Sequence, residues 1–128
     1  MKIKKYGFTL VEIMIVVAII ALLAMIAIPN LMRARVNSND AVAQANLKTI
    51  ATAMESYANV NSNYPTTTTA LIGIAPPYLG EDFFTGIHDG FSYDATLTSF
   101  TYSVVATPAG TNLGSTTYTI TTGGVLTP

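Results

Sequence analysis

One carboxylate stands inside an otherwise uncharged run: from Phe8 to Ile28, Glu12 is the sole ionisable side chain. A charge at the centre of an apolar span costs about 2.5–3.5 kcal/mol, and less near its end. Thirteen Phe, Leu, Ile and Val residues in the same run each contribute roughly −0.3 to −0.6 kcal/mol on that scale. Insertion therefore tolerates Glu12 without needing it, and the acid calls for another reason. A second acidic group, Glu81, Asp82, Asp89 and Asp94 with His88 among them, offers the oxygen ligands that calcium favours. EF-hand spacing is absent, and the plain reading is a solvated loop with no metal. His88 is the only histidine and there is no cysteine, so no base–nucleophile pairing supports an enzyme or a cofactor.

The 128 residues amount to one domain, half hydrophobic and a tenth charged, which is too apolar for an ordinary soluble protein. The run from Phe8 to Ile28, as a helix, would span roughly 30 Å, the thickness of a hydrocarbon core. Lys2, Lys4, Lys5, Arg33, Arg35 and Lys48 are the only basic residues. The leader lysines place the N-terminus in the cytoplasm by the positive-inside bias. Arg33 and Arg35 run against that bias, and the absence of Lys or Arg after Lys48 restores it. A nucleic-acid surface needs a basic footprint, and the C-terminal part has none. The apolar run is longer than a secretory h-region. Its alanines at 18, 21, 24 and 27 do not make an A-x-A cleavage site. Hydropathy alone fits an uncleaved single-pass anchor equally well.

Pro29 removes a helical hydrogen bond and should kink or break the helix there. Beyond it, Val36, Ala43, Leu47, Ile50, Met54 and Tyr57 form one apolar stripe at helical period. Lys48, Thr52, Glu55 and Asn59 lie off it. The helix should run to about Val60, stopped by Asn61-Ser62-Asn63 and Pro65, with Asn37–Asp40 as its weakest stretch. After Tyr64 come a threonine run, Pro76-Pro77, an irregular acidic loop over 80–90, and then period-two alternation. Phe91 and Tyr93, then Phe100, Tyr102, Val104 and Ala106, then Tyr118 and Ile120 take the inward positions, and Val125-Leu126 closes the chain. This reads as an antiparallel meander with one buried face. Residues 64–128 are too few for a comfortable core of their own and need the helix stripe as a second layer. The expectation is an α+β lollipop, a long N-terminal helix whose distal half packs on a small C-terminal sheet. Its parts are a leader 1–7, an apolar helix 8–28, an amphipathic helix 29–63 and a β-rich head 64–128.

The stretch Gly7-Phe8-Thr9-Leu10-Val11-Glu12, opening an apolar helix behind a basic leader, resembles the class III signal peptide of type IV pilins and type II secretion pseudopilins. The likeness continues through residues 13–20 to Pro29, and more weakly over Ala45–Pro65. The resemblance implies cleavage between Gly7 and Phe8 by prepilin peptidase, on the cytoplasmic side, and N-methylation of the new Phe8 amine. It implies that Glu12 pairs with the Phe8 amine of a neighbouring subunit during assembly. It also implies an inner-membrane subunit held in lipid, then moved by a platform protein and an assembly ATPase into a homo-oligomeric helical filament, extracellular or periplasmic. The reading is thus a major or major-like pilin, a structural subunit and not an enzyme. The alternative is a type II secretion major pseudopilin, and a membrane-anchored extracytoplasmic binding domain is the reading from another class. Two features depart from familiar pilins: there is no cysteine pair in the C-terminal region, and Ala21 stands where a helix-loosening glycine is common.

Overall fold

The computed structural model describes residues 1 and 7–128; residues 2–6, with the leader lysines Lys2, Lys4 and Lys5, lie outside the described residues. Two units are distinguished, Met1–Ala34 and Arg35–Pro128. One helix, α1 (Leu10–Asn61, 52 residues), contributes to both.

In the first unit the helix is apolar all round. Its side chains from Leu10 to Met32 are almost all exposed, and none of its most apolar 18-residue window is buried. A helix hydrophobic on every face is stable in lipid or inside an assembly. By length and composition it can cross a membrane. The helix continues through Pro29 without a break, so the lost hydrogen bond at that residue does not end it.

In the second unit the stripe behaves as its spacing requires. Ala43, Leu47, Ile50 and Met54 are fully buried, Tyr57 packs against them, and Lys48, Thr52 and Asn59 stay exposed. Each fully buried Leu, Ile or Met contributes about 1.5–3 kcal/mol. The stretch Asn37–Asp40, expected to be weak, is helical throughout. Its polar side chains find tertiary partners: Asn39 Nδ2 donates to Leu113 O at 2.9 Å, and Ser115 N donates to buried Asp40 Oδ1 at 2.9 Å. These long-range bonds offset the local preference for turns. The helix ends at Asn61, where Ser62 takes a positive φ of 61° and Asn61 Nδ2 bonds Tyr57 O.

A short helix, α2 (Thr69–Ile72), which sequence reading did not anticipate, buries Leu71. The sheet follows as β1 (Phe91–Leu97), β2 (Tyr102–Pro108), β3 (Tyr118–Thr121) and β4 (Val125–Thr127), antiparallel in the order β1-β2-β3-β4. Phe91, Tyr93, Tyr102, Val104, Ala106, Tyr118 and Ile120 point inward onto the α1 stripe. The α+β meander on a helix is therefore as the alternation predicts. Gly114 permits the closest approach, since a Cβ there would run into the ring of Phe91.

One expectation about the sheet needs correction. Phe100 does not enter the sheet: it is 84% exposed, outside β2. The Thr98 side chain takes the Thr101 N–H at 3.0 Å and itself donates to Thr101 O. That closes the β1–β2 turn before Tyr102 and leaves Phe100 at its tip. β1 runs from Phe91 to Leu97, and its second half, Asp94–Leu97, pairs in register with Tyr102–Val105. The acidic segment 80–90 is irregular with Glu81 and Asp89 exposed, while Phe83, just beyond buried Leu79, joins the core.

Candidate processing and assembly site

Gly7 and Phe8 lie immediately ahead of α1, and Phe8 is 85% exposed. A Cβ built on Gly7 meets nothing within 4 Å, so packing does not demand glycine there. Glu12 falls in the first turn of α1, and Thr9 is the residue before the helix. Thr9 N donates to Glu12 Oε2 at 2.7 Å, Thr9 Oγ1 donates to the same oxygen at 2.8 Å, and Glu12 N donates to Thr9 Oγ1 at 3.3 Å. This is a reciprocal capping box, which satisfies backbone donors that a helix N-terminus leaves open. The carboxylate is thus held at the mouth of the helix, one turn from Phe8, in a chain whose residue 8 nitrogen is still a peptide amide. Sequence reading singled out Gly7, Phe8 and Glu12 but not Thr9. The Thr-x-x-Glu spacing ahead of an apolar run was the signal that would have found it. Pro29 lies far along the same helix and takes no part in the cluster.

A second missed residue is Glu55, which lies off the apolar stripe yet is only partly exposed. Its carboxylate accepts hydrogen bonds from Tyr64 OH (3.0 and 3.1 Å), Tyr102 OH (3.2 Å) and Gly123 N (3.1 Å). Burial, with the Glu55 charge beside it, pushes the Tyr102 phenol up to about 12, and the same two causes raise Tyr64. No local signal marks this role, because the partners come from distant segments.

In the acidic segment, Asp82 accepts from Phe84 N at 2.9 Å and Thr85 Oγ1 at 2.7 Å, bonds that hold its carboxyl below the usual range. His88 Nδ1 lies 3.4 Å from Glu81 Oε1. Among the described residues no group of three or more His, Cys, Asp or Glu side chains is placed to hold a metal ion.

A long apolar-to-amphipathic helix packed on a small meander, entered through a Gly-Phe junction and a first-turn glutamate, is a pilin-like arrangement. Residues 2–28 match the family model described as the prokaryotic N-terminal methylation motif. Over 68 residues, 53% of this chain, it is 46% identical to the type IV wide pilus major component of Thermus thermophilus, covering 52% of that protein. It is 48% identical over 58 residues, 45% of this chain, to the type IV major pilin protein of Myxococcus xanthus, covering 26% of it. With the type II secretion system core protein G of Escherichia coli it shares 38% over 68 residues, 53% of this chain and 47% of that protein. Over these segments the chain is similar to type IV pilins and to a type II secretion system core protein. The matched segments span about half the length of two of these relatives and about a quarter of the third.

Proposed function

We propose that this chain is the structural subunit, major or major-like, of a type IV pilus-like filament. Prepilin peptidase removes residues 1–7 and methylates the amine of Phe8. The apolar half of α1 then waits in the inner membrane, N-terminus in the cytoplasm, until the platform protein and assembly ATPase move the subunit into the filament. The observation that carries this reading is the wholly unburied apolar segment beginning at a methylation motif. Such a surface needs lipid before assembly and copies of itself afterwards. In the filament, Glu12 leaves Thr9 for the Phe8 amine of a neighbour, and Pro29 is where the helix can bend as subunits pack.

A pseudopilin of type II secretion is the second reading, favoured by the similarity to core protein G from several bacteria, 38% identical in Escherichia coli and 41% in Pseudomonas aeruginosa. A membrane-anchored binding domain shares the exposed apolar helix but leaves Gly7 and the methylation motif without a purpose.

Intact-mass measurement of membrane or filament material tests the proposal. The expected chain lacks residues 1–7 and carries one added methyl. A mature chain beginning at Met1 would instead support the plain anchor.

A further inference from the structure

The Gly7–Phe8 junction stands just outside α1, which begins at Leu10. Thr9 fixes that boundary. Its carbonyl accepts from Ile13 N at 3.4 Å, its Oγ1 accepts from Glu12 N at 3.3 Å, and its own N–H donates to Glu12 Oε2 at 2.7 Å. A competing start lies two residues upstream, because glycine ranks beside threonine as an N-cap. No neighbour packs against Gly7, where a Cβ meets nothing within 4 Å. What separates the two starts is register. Counted from Thr9, the third helical residue is Glu12, whose carboxylate closes the capping box; counted from Gly7 it is Leu10, which has no acceptor. A helix capped by Gly7 would have Phe8 as its first residue and would commit the Gly7 carbonyl to the Val11 N–H. That carbonyl belongs to the bond a peptidase must attack, and proteolysis concentrates where the chain is exposed and free of such pairing.

We propose that Thr9 is a positioning residue for cleavage at Gly7–Phe8: as the N-cap it stops α1 short of the bond and leaves the Gly7 carbonyl outside the helix. The inference rests on the processing reading above. Hydrolysis adds one water across the amide, leaving a carboxyl on Gly7 and an amine on Phe8. Thr9 takes no part in that exchange and acts through the helix boundary alone.

The test follows cleavage of the full chain in detergent micelles by purified prepilin peptidase, using intact mass over time, with hydrogen exchange read at the Val11 amide of the uncleaved chain. Thr9→Ala should be cleaved several-fold more slowly, and its Val11 amide, which the present first turn leaves unbonded, should exchange more slowly as it pairs with Gly7. Thr9→Ser, which restores a capping hydroxyl, should recover both the cleavage rate and the fast exchange. If Thr9→Ala fails to enter micelles, Thr9→Val, close in shape but without the hydroxyl, is judged by the same two readouts. Wild-type cleavage rates in the variants lacking the hydroxyl overturn the positioning role. So does slow cleavage that Thr9→Ser leaves unrepaired, or slow cleavage with Val11 exchange unchanged. A wild-type chain left intact at Gly7–Phe8 overturns the processing reading itself.

Discussion

The Tyr102 hydroxyl donates to Glu55 Oε1 across 3.2 Å, joining the start of β2 to the exposed side of the helix stripe. Tyr64 and the Gly123 amide converge on the same carboxylate, so one side chain ties the helix to the post-helix loop, to β2 and to the β3–β4 turn. In a chain without cysteine, this cluster is a cross-link made of hydrogen bonds. Glu55→Ala leaves three donors to find water or stay unpaired and should cost about 1–3 kcal/mol. Thermal unfolding of the detergent-solubilised chain checks it, and an unchanged melting temperature would show that the cluster contributes nothing.

The same cluster makes the second unit sensitive to alkali. Tyr102 is raised from 10.0 to about 12 in the folded chain. Between those values the native state holds a proton that the unfolded state has lost, so stability falls as pH rises through that window and is intact below it. Urea midpoints should decline from pH 10 upward, and Tyr102→Phe should flatten the decline. An equally steep decline in Tyr102→Phe would assign the effect to other groups.

The helix stripe makes a sharper contrast. Ile50 is fully buried against the sheet, while Thr52, two residues on, is exposed. Ile50→Ala should cost about 2–5 kcal/mol, whereas Thr52→Ala should stay within about 0.5 kcal/mol. Equal melting temperatures for the two variants would mean that the stripe does not pack on this sheet.

Features set by spacing within one element were readable in the sequence. The stripe Ala43-Leu47-Ile50-Met54 and the alternation Tyr102-Val104-Ala106 each announce their buried face, because period alone decides which side chains share a side. Phe100 misled because it extends that alternation by one step, and only the Thr98–Thr101 hydrogen bonds show that the turn has already begun. The Asn37–Asp40 stretch misled for a related reason: local preference argued for a weak helix, and partners near residue 114 reversed it. Glu55 was out of reach, since its three donors lie 9, 47 and 68 residues away in sequence. At the candidate site Gly7, Phe8 and Glu12 stood out by motif. Thr9 is legible too, as the start of a capping box.

The carboxylate of Glu12 is held by the Thr9 cap, and the proposed cleavage would give it a second claimant, a positively charged Phe8 amine. A methylated amine remains basic, so the second claim persists at neutral pH. Opposite charges 4 Å apart attract by about 4 kcal/mol at an effective dielectric of 20, an upper figure because desolvation opposes it. In the proposed filament, a subunit entering with Glu12 unpaired would bury a charge, and that penalty would select the correct stagger. Electron microscopy of cells whose only subunit is this chain, wild type or Glu12→Ala, is the most direct test. The account predicts long filaments from the wild type, and few or none from Glu12→Ala although that variant is inserted and cleaved normally. Filaments of normal number and length from Glu12→Ala would contradict it.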